Sequence, residues 1–130
     1  FSNAESYTLP DYKEITEVDA VAGTMLAVSK ERFMQVKMFD ERFFMYMEDS
    51  DLSYKLHLAG YRNYFHPRVG GVHLWGKGSK AGHIKRSYYH HLSVWKYYLK
   101  HFPGGFSIIF LPFVLLGNFL LSMLIPKRNS

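Results

Sequence analysis

The sequence predicts an α/β chain of few strands, several helices and a hydrophobic C-terminal helix. Three observations predict it. Two stretches, 18–29 and 61–66, have the β-branched, small or alternating character of strands. Residues 50–59 and 83–102 place apolar side chains at helical spacing. Residues 106–125 carry no charge, and only Ser107, Asn118 and Ser122 among them are polar.

The 130 residues amount to about one domain, and 48% apolar with 18% aromatic content is ample for a core. There is no cysteine, so a disulfide framework and thiolate metal sites are excluded. The net charge is +5, with cations concentrated between Lys77 and Lys100 and again at Lys127 and Arg128. Such a distribution suits phosphate-bearing partners: nucleic acid, anionic lipid head groups or a nucleotide diphosphate.

Phe1-Ser2-Asn3-Ala4 reads as an expression scar, and with no opening Met the sequence reads as a piece of a longer protein. Residues 5–17 are polar and irregular. Val18 to Ser29 carries a strand signal interrupted at Gly23, a position where backbone comes close to another group. Ser29 caps a short helix, 30–36. Residues 37–47 form a loop or turn around Asp40 and Glu41.

The chain is organised around the acids at 48–51. A run of large side chains, Phe43 to Met47, leads directly into Glu48, Asp49 and Asp51. So apolar an approach partly desolvates the carboxylates, which raises their basicity. The plainer reading is that Asp49 and Asp51 only cap a helix and suit its N-terminal dipole. The helix 50–59 turns Leu52, Leu56 and Ala59 to one face, and Gly60 closes it. Tyr61 to His66 is a strand that Pro67 stops.

Five glycines among residues 68–82 predict a mobile loop. A five-turn amphipathic helix comes next, over 83–102. Its apolar stripe runs from Ile84 to Phe102, and Lys85, Arg86, Lys96 and Lys100 lie on its other face. Pro103-Gly104-Gly105 breaks it. The uncharged stretch 106–125 has the length of a bilayer core, roughly 20 residues. A buried core helix or an oligomer interface is the other reading. If it meets neither membrane nor missing chain, self-association is expected, with Asn118 or Ser122 bonding across the contact. The divisions expected are thus 1–4, 5–102 and 103–130.

Several motifs stand in order: Val21-Ala-Gly-Thr-Met-Leu26, Phe39-Asp-Glu-Arg-Phe-Phe44, Glu48-Asp-Ser-Asp-Leu52, Ala59-Gly-Tyr61, His66-Pro67 and His73. Together, over residues 18–102, they resemble the C-terminal half of a bacterial family 2 glycosyltransferase, rhamnosyltransferase-like. Two positions depart from the pattern. The glycines of its "GGFDE" turn are here Lys37 and Met38, and the arginine of "ED-DL--R" is here Lys55. The resemblance implies part of a GT-A sandwich with a mixed sheet. It implies inverting transfer of a sugar from a nucleotide diphosphate donor to a saccharide or lipid-linked acceptor, in cell-surface polysaccharide synthesis. Asp49 would be the base, with Glu48 and Asp51 on the acceptor side and Asp51 also orienting the helix. A divalent metal, Mg or Mn, would be held mostly by an N-terminal half. His73 would lie near metal or diphosphate, with Lys77 and Lys80 beside it; a structural histidine is the plainer reading of His73. The implied location is the cytoplasmic face of a bacterial inner membrane. Asp49-Ser50-Asp51 has the spelling of a nucleotide-metal motif, but it opens a helix rather than ending a strand. The competing class is a non-catalytic, membrane-associated module that binds nucleic acid or anionic lipid through the basic aromatic helix 83–102. A membrane-anchored scaffold is a third.

Overall fold

The computed structural model describes residues 13–71, 82–105 and 107–124. Its elements are β1 (Thr16–Val18), α1 (Lys30–Gln35), α2 (Glu48–Leu58), β2 (Asn63–Phe65), α3 (His83–His101) and α4 (Ser107–Leu124), with a 3-10 turn at Gly23–Met25. The architecture is mostly helical. β1 and β2 form a two-stranded antiparallel sheet in which Glu17 faces Tyr64.

The expected strand over 24–29 does not form. Its side chains suit a strand, but no described segment pairs with it, and backbone needs a partner to stay extended in a ladder. Leu26 and Val28 instead pack against the small core of Val36, Leu52 and Leu56. The mixed sheet implied by the resemblance is therefore reduced, among the described residues, to one antiparallel pair.

Both short helices end as local chemistry dictates. Ser29 Oγ accepts the Arg32 N–H at 3.4 Å and caps α1. At the end of α2, Gly60 has φ +85°; its N–H reaches the His57 carbonyl and the Tyr61 N–H reaches the Leu56 carbonyl. That is a Schellman closure. α1 closes in the same way, Lys37 to Met34 and Met38 to Phe33, but with Lys37 at φ 61° and Met38 at φ 54°. The positions where the related pattern has two glycines thus keep the left-handed backbone that glycine favours. Side chains there cost roughly 1–2 kcal/mol per residue.

The helix expected at 83–102 is α3, and the break at 103–105 separates it from α4. α3 and α4 run antiparallel. Ser87 Oγ meets Ser122 Oγ at 3.1 Å, and His91 Nε2 meets Asn118 Oδ1 at 2.9 Å. Asn118 and Ser122, expected to bond across an oligomer contact, bond within the chain instead. Among the described residues no helix is long and apolar enough to cross a membrane. α4 has 18 residues, a rise of about 27 Å against the roughly 30 Å of a bilayer core. It also contains Pro112 and Asn118. The expectation that 106–125 matches a bilayer core is corrected to that extent.

The basic face of α3 needs correction too. Lys85 stands on the surface, but Lys96 and Lys100 turn inward. Periodicity placed them opposite the apolar stripe, and the opposite side is where the acids of the neighbouring loop and of α2 lie.

Candidate functional site

α2 begins at Glu48, two residues before the helix expected from periodicity. Its N-cap is Met47, with φ 68°, and Tyr46 before it has φ 67°. Two consecutive non-glycine residues in left-handed conformation hold strain of order 1–3 kcal/mol each. α3 helps to hold them there. Ser93 Oγ donates to the Met45 carbonyl at 2.8 Å, and Lys96 Nζ donates to the Arg42 carbonyl at 2.8 Å. Phe44 packs on Tyr89 and Tyr46 on His90, with ring centroids 4.9 and 5.4 Å apart. Neither Asp49 nor Asp51 is the N-cap; both lie in the first turn, where the helix dipole favours negative charge.

Asp49 is half-buried, and its carboxylate is fixed in direction. Oδ2 accepts the Gly23 N–H at 2.8 Å, and Oδ1 accepts the Ser50 N–H at 2.7 Å. A Cβ on Gly23 would stand 3.4 Å from the Asp49 Cβ. The close approach expected at Gly23 is thus an approach to Asp49. Oδ1 also accepts the Ser50 hydroxyl at 3.5 Å, and Oδ2 keeps a second lone pair for another donor.

Glu48 is beside it. Its Oε2 is buried and has no hydrogen-bond partner. A buried acceptor left without a donor costs free energy that a bound hydroxyl would recover.

Asp51 is different. It is fully buried. Oδ1 accepts Lys100 Nζ at 2.6 Å and His101 Nε2 at 2.7 Å; a carboxylate only accepts, so the His101 proton sits on Nε2. Lys55 Nζ lies 3.3 Å from Oδ2 and also donates to the Met38 carbonyl. Lys100 reaches further, to Asp40 Oδ2 at 2.7 Å, and Asp40 is itself gripped by Arg42. The Arg42 guanidinium holds the Asp40 carboxyl well below the usual carboxylate range; desolvation opposes this and Lys100 reinforces it. Asp51 is therefore the hub of a charge cluster beneath the helix start. Lys55, standing where the related pattern has arginine, divides its reach between Asp51 and the Met38 loop.

His73, Lys77 and Lys80 lie in 72–81, outside the described residues. Among the described residues no group of three His, Asp or Glu could hold a metal ion. The buried carboxylate among the described residues, Asp51, is ringed by cations and does not suit a divalent metal, which the resemblance assigned mostly to an N-terminal half. Sequence reasoning missed Lys100, His101 and Asp40 as members of the site. The available signal was the stripe Ser93, Lys96, Lys100 along one side of α3.

A half-buried carboxylate fixed by backbone N–H groups thus stands next to an acceptor atom without a donor, and both can accept from hydroxyl groups. By sequence, the chain carries a segment homologous to part of bacterial rhamnosyltransferases. It is 38% identical over 74 residues to the rhamnosyltransferase WbbL of Escherichia coli K12, a stretch covering 57% of this chain and 26% of that protein. It is 43% identical over 53 residues to an N-acetylglucosaminyl-diphospho-decaprenol L-rhamnosyltransferase of Mycobacterium tuberculosis, covering 41% of this chain and 17% of that protein. The chain thus spans about a quarter or less of the relatives it matches. No protein-family model matches it, and no solved structure matches it.

Proposed function

We propose that this chain is the acceptor-side part of an inverting glycosyltransferase of GT-A type, with Asp49 as its general base. The enzyme would move a sugar of the rhamnose class from a nucleotide diphosphate donor to a lipid-linked saccharide, in cell-surface polysaccharide synthesis at the cytoplasmic face of a bacterial inner membrane. The observation that carries the reading is the Asp49 carboxylate, aimed by Gly23 and Ser50 and flanked by the unpartnered Glu48 Oε2.

In this mechanism an acceptor hydroxyl donates to Asp49, and Glu48 accepts a second hydroxyl of the same saccharide. As the acceptor oxygen attacks the anomeric carbon, its proton passes to the Asp49 carboxylate, and the bond to the diphosphate breaks on the opposite face. The configuration at that carbon is inverted. Asp51 takes no proton; with Lys100 and His101 it fixes the first turn from which Asp49 projects. Of the aromatic approach, Tyr46 packs edge-on against His90 of α3, while Phe44, on Tyr89, stays largely exposed. His73, Lys77 and Lys80 are assigned to the diphosphate or metal side, together with an N-terminal half.

The nucleic-acid reading loses its main support, because Lys96 and Lys100 are engaged inside the chain. The test is transfer by the full-length protein with Asp49→Asn. The amide keeps the shape and cannot take the proton, so transfer should fall by about 10²–10⁴-fold. Undiminished transfer would remove Asp49 from the mechanism.

A further inference from the structure

The α3–α4 hairpin leaves a groove between its helices. Leu92 and Trp95 line it from α3, and Pro112, Leu115, Leu116 and Phe119 from α4, around a volume of about 240 Å³. Its lining is almost wholly apolar; the His91–Asn118 pair is the polar contact beside it. That volume lies just below the range of sites that enclose a whole small molecule, roughly 300–1,000 Å³, so it suits a segment of a chain. On its other sides, away from the groove, α4 leaves Phe110, Phe113, Val114 and Leu121 more than half exposed.

Charge indicates what kind of chain. α3 and α4 contain no acidic residue. Lys85 stands one turn before Tyr88 and Tyr89, 6.0 Å from the Tyr89 ring centroid, at the seam between the groove stripe and the side of α3 that meets the Phe44 loop. Arg86 is next to it. None of the described carboxylates pairs with either cation. An apolar tail, then a strong anion, then a saccharide on the site side of α3 would match this layout.

We propose that the groove binds the first isoprenoid units of a polyprenyl diphosphate-linked acceptor, with Lys85 and Arg86 on the diphosphate. The tail lies between α3 and α4, the diphosphate crosses α3 near its N-terminal turn, and the sugar is delivered towards Glu48 and Asp49. This rests on the lipid-linked acceptor of the proposed function. It adds the place of the tail and the residues that select it. Each methylene taken from water strengthens binding by about fourfold, so a few carbons are enough for selection.

The test is binding, read from Trp95. The chain has two tryptophans, so Trp75→Phe leaves Trp95 as the sole indole. Farnesyl diphosphate should shift and enhance Trp95 emission. Farnesol should bind at least tenfold more weakly, and inorganic pyrophosphate at least a hundredfold. Leu116→Lys, at a position 55% exposed, should weaken farnesyl diphosphate at least tenfold with the helical circular dichroism unchanged. Lys85→Ala should weaken farnesyl diphosphate but not farnesol. An equal response to phosphatidylglycerol vesicles lacking any prenyl lipid would overturn the proposal in favour of a general membrane contact. A Trp95 shift that grows with protein concentration and is blind to farnesyl diphosphate would overturn it in favour of a second copy. No donor sugar is used, so the outcome is independent of transfer: prenyl binding without Asp49-dependent transfer would sink the function and keep the groove, and the converse would do the reverse.

Discussion

One side of α3 meets α2 and the Asp40 loop through charge. The other meets α4 through apolar side chains and two hydrogen bonds. On the first side Lys100 joins Asp51 to Asp40, His101 shares Asp51, and Lys96 holds a loop carbonyl. On the second, Leu92 and Trp95 face Pro112, Leu115 and Phe119, and the contact leaves a gap. The difference lies in directionality. Charge-assisted bonds have fixed partners and angles, so they set the orientation of the turn that carries Glu48 and Asp49. Apolar contact has no such demand and tolerates a guest. The proposed proton transfer lies above the first side, and the proposed lipid groove on the second.

The comparison breaks most visibly at Lys100. Lys100→Met should leave the buried Asp51 with only Lys55 and His101, and Asp40 with only Arg42, and cost up to about 3–5 kcal/mol in chemical denaturation. A loss below about 1 kcal/mol would mean that the cluster is slack.

Acid attacks the same side. The folded pKa of Asp40 lies below its ordinary 3.8, so the unfolded chain binds the extra proton first as pH falls. The stability that Asp40 contributes is full above pH 3.8 and drains away below it. Denaturation midpoints taken from pH 7 down to pH 2 should fall on that limb, and Asp40→Asn should flatten it.

Smaller effects sharpen the contrast. Lys37→Gly removes a side chain from a left-handed Schellman position and should stabilise the protein by about 1 kcal/mol. Asn118→Leu, on the apolar side, breaks the His91 bond at an exposed position and should cost under about 1 kcal/mol. A larger cost would mean that the hairpin, too, depends on directional bonds.

Local chemistry was legible in the sequence. The Ser29 cap, the Gly60 closure, the extent of α3 and the break at 103–105 all arise from residues within a turn of the feature they explain. The close approach at Gly23 was legible as a need, but not its partner, which lies 26 positions away. The ionic hub was not legible. Periodicity assigned Lys96 and Lys100 to the side opposite the apolar stripe, which ordinarily means solvent; their partners are far off in the chain, Asp51 49 positions from Lys100 and Asp40 60. The strand over 24–29 failed for a related reason: strand character is local, but a ladder needs a second strand. The resemblance placed Asp51 on the acceptor side and also gave it the orienting of the helix; its full burial and its Lys100, His101 and Lys55 neighbours could not be read from the sequence.

Under the proposed function, two carboxylates two positions apart do different work, Asp49 on the substrate and Asp51 on the fold. The most direct measurement makes Asp49→Asn and Asp51→Asn in the full-length protein and reads both transfer rate and denaturation midpoint for each. Asp49→Asn should lose about 10²–10⁴-fold in transfer with a midpoint close to that of the unaltered protein. Asp51→Asn should lose several kcal/mol of stability, and such folded protein as remains should keep most of its transfer rate. A stable, inactive Asp51→Asn beside an active Asp49→Asn would reverse the assignment and contradict the account.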